Sequence, residues 1–199
     1  MAEPAVDDGR RRFLTLTTAV VGAAGVAALS VPFLASMWPS EQAQAAGAPV
    51  TIDLSRLELG AMMIAQWRGV PVWIVRRTEE QLAELSKHGA RLRDPNSDVE
   101  QQPAYAKNEF RSIKPEYLVL VGICTHLGCS PLFEPQVGPQ PFTPQWDGGF
   151  FCPCHGSTFD LAGRVFQGVP APTNLVVPPY RFDDANQVTI GLDPALGAA

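Results

Sequence analysis

The sequence predicts an antiparallel β domain carried behind a single N-terminal membrane helix. Three observations support this. Residues 13–40, FLTLTTAVVGAAGVAALSVPFLASMWPS, contain no charged side chain. From residue 61 onward, short apolar runs of strand length alternate with Gly, Pro, Asp and Asn turn signals. All four cysteines and two of the three histidines sit in two short boxes, 124–129 and 152–157, which would lie on loops at one tip of such a domain.

The 199 residues suffice for one compact domain plus an appendage. The division read from composition is an N-terminus at 1–12, an anchor at 13–40, a tether at 41–49 and a folded domain at 50–199. As a helix, Phe13 to Trp38 would reach about 39 Å, enough to cross a bilayer core of about 30 Å with tilt. Pro32 would kink it and Trp38 would sit at the far interface. Arg10-Arg11-Arg12 keeps the N-terminus cytoplasmic by the positive-inside rule. With Phe13 and Leu14 it also looks like a twin-arginine export signal, a route that carries folded proteins. Ala43-Gln44-Ala45 fits a signal-peptidase pattern. The apolar stretch is much longer than the roughly 7–15 residues of a secretory signal core, so an uncleaved anchor is the preferred reading. Gly22, Ala23, Ala24, Gly25, Ala27 and Ala28 fit either a helix-packing face or the modest hydrophobicity of export signals.

Residues 41–49 are small, polar and alanine-rich, which on composition means a spacer or a marginal helix. Ala61–Trp67 and Val70–Val75 flank Arg68-Gly69 as a hairpin. Thr78-Glu-Glu-Gln81 is a capping box opening a short helix through Leu85, with Gly89 placed to end it. His88 in its last turn reads as a surface histidine. Arg91 to Pro103 is polar loop. Tyr117–Ile123 is a buried strand running into the first box. Asn174–Phe182 and Gln187–Leu192 read as a closing hairpin around Asp183-Asp184-Ala185-Asn186. Net charge is −5. Glu3, Asp7 and Asp8 balance Arg10, Arg11 and Arg12, so the excess falls on the domain, and the absence of a basic stripe argues against nucleic acid as partner.

The boxes read Cys124-Thr-His126-Leu-Gly-Cys129 and Cys152-Pro-Cys154-His155-Gly-Ser157. A C-x-H pair and a C-x-x-H pair supply two thiolates and two imidazoles, a set that can close one metal site from two loops. Zinc accepts such ligands, but its finger spacing takes two cysteines from one segment and two histidines from the other. One Cys and one His per loop suits a two-iron, two-sulfur cluster with thiolates on one iron and imidazoles on the other.

At these residues the chain resembles the Rieske iron–sulfur family, with Gly128, Pro153, Gly156, Ser157 and Asp160 also standing where the family has them. The resemblance implies one Rieske 2Fe–2S cluster, Cys124 and Cys152 binding the inner iron, His126 and His155 the outer one. It implies a Cys129–Cys154 disulfide joining the loops, which requires an oxidising compartment; the alternative is two buried free thiols. Ser157 would donate a hydrogen bond to a cluster sulfide, or else serve as a turn cap. His155 would contact the quinone, and His126 and His155 would couple electron to proton uptake. Leu127 would add an apolar contact at the docking surface, or pack as an ordinary leucine.

Trp67-Arg-Gly-Val-Pro71 through Arg76-Arg77-Thr78, and Leu92-Arg-Asp-Pro95, resemble the cytochrome bc complex branch. Pro170-Ala-Pro172-Thr-Asn174-Leu175 resembles the proline loop that covers the cluster. This branch implies an all-β Rieske-type domain with a cluster-binding tip and a mobile hinge at 41–49. It also implies transfer of an electron from ubiquinol at a cytochrome b subunit to a c-type cytochrome subunit, with proton release. The chain would be an electron carrier by itself and part of a quinol–cytochrome c reductase in its complex. That complex would be dimeric, in a bacterial inner membrane, with the Rieske domain periplasmic. Alternatives are a Rieske subunit of a periplasmic oxidase such as arsenite oxidase, and a zinc-stapled periplasmic binding domain. Three departures stand out: a Pro- and Gly-rich insert between the boxes (Pro135 to Gly149), Val169 between Gly168 and the Pro-Ala-Pro run, and Phe159 where many members have a tyrosine. In the family that tyrosine donates a hydrogen bond to the thiolate matching Cys124.

Overall fold

The computed structural model describes residues 7–41, 43 and 47–194. The chain divides into two compact units, 1–45 and 46–199. The tether expected at 41–49 falls partly outside the described residues, as do Gln44 and Ala45 of the cleavage-like pattern.

In the first unit, α1 spans Asp8–Ala35, 28 residues. It starts earlier and stops sooner than the expected 13–40. Asp7 caps its N-terminus by accepting from the N–H groups of Gly9 and Arg10, which pulls the three arginines into the helix. At the far end Ser36 closes the helix ahead of Pro39, because the residue before a proline is disfavoured in the α region. At about 1.5 Å per residue the helix measures about 42 Å, and an 18-residue window of it has a mean hydropathy of 1.9, so it is long and apolar enough to cross a membrane. Its hydroxyls are satisfied within the helix: Thr15, Thr17, Thr18 and Ser30 each donate to the carbonyl four residues back. That suits an apolar surrounding, where an unpaired hydroxyl is costly.

The second unit is built from three small antiparallel sheets. Strands β2 (Met62–Trp67) and β3 (Val70–Arg76) form the expected hairpin. Its turn residues, Arg68 and Gly69, have φ of 52° and 75°, the mirror-image turn that matches strand twist. β4 (Tyr117–Val121) pairs with β3, and residues 117–120 are buried on both faces, as the sequence run suggested. β5 (Leu132–Val137), β6 (Asp147–Cys152) and β7 (Ser157–Phe159) form the second sheet. β1 (Val50–Asp53), β9 (Gln187–Ile190) and β8 (Tyr180–Phe182) form the third, which ties the start of the domain to its end.

Several expectations need correction. The closing hairpin is shorter than Asn174–Phe182 with Gln187–Leu192, since Pro178 and Pro179 offer no N–H to a ladder. The capping box at Thr78 is complete, but α2 (Glu79–Leu85) ends at Ser86. Gly89 opens a 3₁₀ turn, Gly89–Arg91, and does not terminate the helix. His88 is not on the surface: it is 2% exposed, its ring meets Phe166 edge-on with 5.5 Å between centroids, and Asp147 and Asp160 each stand 3.7 Å from a ring nitrogen. The insert contributes the ends of β5 and β6 and folds back as a flap. Its Phe142 stacks on Phe151 at 3.8 Å, and Trp146 is buried against Leu92 and Phe166.

Trp73 of β3 stacks on Phe150 of β6, 5.1 Å between centroids, and so locks the first sheet to the second. Such a contact is worth about 0.5–1.5 kcal/mol beyond the area it buries. Gly149 makes the neighbouring strand crossing possible. Its φ is 154°, and a Cβ there would overlap the Phe159 carbonyl oxygen. Gly149→Ala should therefore destabilise the domain by about 3 kcal/mol or more, through overpacking together with backbone strain. Urea denaturation of the full chain in detergent measures it; a midpoint equal to the parent's would refute the crowding.

Candidate functional site

Each box is placed by a strand and closed by a turn of the same kind. β4 delivers the first: Gly122 lies under the Trp73 ring, where a side chain would collide, and the chain then turns at Cys124. The Gly128 N–H donates to the Cys124 carbonyl at 3.0 Å, and the Cys124 N–H to the Cys129 carbonyl at 2.7 Å. The β6–β7 hairpin delivers the second box, with the Gly156 N–H donating to the Cys152 carbonyl at 2.9 Å. Gly128 and Gly156 have φ of 85° and 75°, conformations that a side chain would strain.

The two loops meet at one end of the domain. Cys129 and Cys154 are joined by a disulfide across them, Cα–Cα 6.7 Å. Cys124 and Cys152 are free thiols, each 2% exposed. The His126 and His155 rings lie edge to face, 4.8 Å between centroids. His155 is exposed and His126 half-buried. Leu127, beside them, is 70% exposed.

Burial pushes the Cys124 thiol up, and the neighbouring Cys152 adds to this, while the His126 backbone and the Ser157 hydroxyl pull it down. Ser157 is itself buried and accepts the Ala171 N–H at 3.0 Å, leaving its proton free to point at sulfur. Ala171 belongs to the Pro170–Leu175 run, so that run packs against the site, as its resemblance to a covering loop implied. Thr125 adds a tie that sequence reasoning passed over: its hydroxyl donates to the Thr173 carbonyl at 2.7 Å. The signal was a hydroxyl set between two candidate ligands.

A charged platform lies beneath the second box. Asp160 is fully buried and accepts from the N–H groups of Ala162 and Arg164 and from the Arg164 guanidinium. Burial works against its carboxylate, but His88 and Arg164 outweigh that and hold its pKa below the usual value. Arg77 donates to the Leu161 carbonyl, and Arg111 to those of Ala162, Gly163 and Leu175. Burial pulls Arg77 down to about 9 and Arg111 to about 10, so both stay charged at neutral pH. Arg77 stood out only as part of the Arg76-Arg77-Thr78 stretch and Arg111 not at all, because an arginine in sequence carries no mark of burial.

The donor chemistry fits a two-iron cluster. Two buried thiols with no disulfide partner face inward, and His126 Nδ1 is buried without any hydrogen-bond partner, as a ligand atom would be. Among the described residues, the group whose donor atoms all come within 4.8 Å is Cys129, Cys152 and Cys154. Two of those sulfurs are bonded to each other, so that trio is no ligand set. Cys124, His126, Cys152 and His155 do not draw together as the donors of one tetrahedral ion would. They form a thiol pair inside and an imidazole pair outside, the split that a two-iron centre needs.

A family model described as the Rieske [2Fe-2S] domain matches residues 60–181. Another, described as the Ubiquitinol-cytochrome C reductase Fe-S subunit TAT signal, matches residues 1–40. The ubiquinol-cytochrome c reductase iron-sulfur subunit of Allochromatium vinosum is 56% identical over 193 residues, covering 97% of this chain and 93% of its own. That of Blastochloris viridis is 46% identical over 182 residues, covering 92% of each chain. That of Bradyrhizobium diazoefficiens is 42% identical over 183 residues, covering 92% of this chain and 94% of its own. The chain belongs to the Rieske [2Fe–2S] family, among the iron–sulfur subunits of ubiquinol–cytochrome c reductase.

Proposed function

We propose that Cys124 and Cys152 bind one iron of a Rieske cluster and His126 and His155 the other, and that this tip takes an electron from ubiquinol and delivers it to a c-type cytochrome. The observation that carries the reading is the arrangement of two buried thiols behind two imidazoles at the solvent-facing tip. When bound, the cluster supplies a one-electron acceptor of raised potential, since two neutral imidazoles replace two anionic thiolates.

The chain's own residues do the rest. His155, exposed, offers its outer ring nitrogen to a hydroquinol held by a cytochrome b subunit and takes up the quinol proton there. His126, using the buried Nδ1 for ligation, keeps Nε2 for the same purpose. Leu127 gives the rim an apolar contact with the partner. The Cys129–Cys154 bond holds the two loops at fixed separation, and Ser157 bridges the Ala171 backbone to the sulfur side of the site.

In this reading α1 anchors the chain in a bacterial inner membrane. Arg10–Arg12 lie on the cytoplasmic side and the domain on the periplasmic side, where a disulfide persists. Residues 41–49 form the tether, and the complex is a dimer with cytochrome b and c-type subunits. The Allochromatium and Blastochloris relatives are named for the ubiquinol–cytochrome c reductase, which favours this reading over the arsenite oxidase alternative. Native detergent extraction tests the assignment: b- and c-type haem should co-purify with the chain, and its removal should abolish ubiquinol–cytochrome c activity. Molybdenum in their place would overturn it.

Two substitutions should move the midpoint potential in opposite directions. Ser157→Ala removes a donor to the sulfur side and should lower it. Phe159→Tyr adds one next to the core around Cys124, since Phe159 is fully buried in the same cluster of side chains, and should raise it. For a bond worth about 0.5–1.5 kcal/mol more in the reduced state, each shift is roughly 20–65 mV. Redox titration of the full chain reads both, and a Tyr variant with an unmoved midpoint would show that position 159 does not reach the thiolate.

Breaking the loop tie should act on retention more than on ligation. Cys129→Ser should cost about 2–4 kcal/mol of stability and lower cluster occupancy, while the remaining clusters keep the Rieske electron paramagnetic resonance signature. Full occupancy at parental stability would contradict this role.

A further inference from the structure

Three sulfurs crowd one corner of the site. Cys152 Sγ and both sulfurs of the Cys129–Cys154 bond lie within 4.8 Å of one another, and Cys124 Sγ does not belong to that group. Cys152 is a free thiol in this arrangement. A thiol beside a disulfide is the starting geometry of thiol–disulfide exchange, in which the incoming sulfur attacks one sulfur of the bond and displaces the other. Ligation to iron would withdraw Cys152 from that reaction.

We propose that the chain carries a built-in disulfide switch: when the cluster is lost, Cys152 attacks Cys129 Sγ, the Cys129–Cys154 bond breaks, and a Cys129–Cys152 bond replaces it. The electron pair of the broken bond leaves on Cys154 Sγ, which takes up the proton that Cys152 gives up. One disulfide and one thiol stand on each side of the step, so no oxidant or reductant is consumed.

Two features select Cys129 as the sulfur attacked. Attack on Cys154 would close a ring of Cys152-Pro153-Cys154 alone, with Pro153 fixing its own φ. Attack on Cys129 keeps two separate loops joined. The leaving sulfur, Cys154, is also exposed, whereas Cys129 is half-buried, so the departing thiolate emerges into water. The rearranged chain has its ligand tied up until Cys154 attacks back on the new bond, so cluster uptake then has to compete with the exchanged disulfide. Cluster insertion before disulfide closure, the order that export of an already folded chain gives, avoids this competition.

The proposal rests on Cys152 being a ligand, and disulfide mapping tests the two separately. The full chain is purified in detergent, its 2Fe–2S spectrum is recorded, and one half is stripped with an iron chelator under argon. Thiols in both halves are then blocked with N-ethylmaleimide, and the disulfides are mapped by mass spectrometry. The untreated half should show Cys129–Cys154. In the stripped half Cys129–Cys152 should replace it in most molecules, with Cys124 and Cys154 alkylated. Cys152→Ser, which lacks the nucleophile, should keep Cys129–Cys154 with no cluster bound. Retention of the native bond with Cys152 alkylated would overturn the switch. So would a mixture in which Cys124 is bridged as often as Cys152, because unfolding would then explain it. A chain with no 2Fe–2S spectrum at the outset would overturn the ligand assignment, and its disulfide map would still read the exchange directly.

Discussion

Cys129 and Cys154 belong to loops that leave different sheets, one at the end of β4 and the other between β6 and β7, and their bond makes those loops a single object. Every function ascribed to the tip depends on this. Two thiols and two imidazoles have to face a shared centre, and separate loops would each cost conformational entropy to hold. The covalent link, once closed, removes much of that freedom. The repeated turn, a Gly N–H returning to the carbonyl of the first cysteine in each box, then fixes the local shape.

What the tip stands on is charged and buried, which is unusual enough to need a reason. Asp160, Arg77, Arg111 and Arg164 all have side chains out of water, and an unpaired charge there would be prohibitive. The guanidiniums instead place most of their donors on carbonyls of the Asp160–Gly163 turn or of neighbouring segments, and Asp160 accepts from the N–H groups of Ala162 and Arg164 and from the Arg164 guanidinium. A polar network bonded as densely as this one is rigid, because displacing one member strands another. Its position directly after β7 passes that rigidity to the Cys152–Ser157 loop. Arg111 reaches Leu175 as well, so the covering loop and the ligand loop share one support.

The anchor obeys a different physics. No residue of α1 is buried, and its exposed Phe, Leu and Val side chains are a liability in water. In a bilayer they are the favourable part, with Thr and Ser hydroxyls returned to the helix backbone. One chain thus carries an apolar helix suited to lipid and a unit whose histidine tip faces water. That contrast suits a carrier held at a membrane while its redox group works outside it.

The metal chemistry was legible from local sequence alone, because ligand identity and spacing are properties of a few consecutive residues. The two boxes, the Arg68-Gly69 turn and the Thr78 capping box all fall in this class. The long apolar run fell there too, with its ends shifted by the Asp7 cap and the approach to Pro39. Strands β1, β5, β6 and β7 were not legible: β5 contains Pro135, β6 opens on Asp-Gly-Gly, and β1 is only four residues, so none shows the alternation that marks a strand. Their existence is decided by partners far away in sequence, such as Gly149 beneath Phe159 or Val50 against Ile190. His88 was misread for the same reason. A histidine after a helix looks solvated until the insert brings Asp147 and the second box brings Asp160 to either side of it. Local sequence determined which atoms can bind iron. Only tertiary packing decided that Cys152, and not Cys124, sits against the disulfide, and that buried arginines hold the loop beneath them.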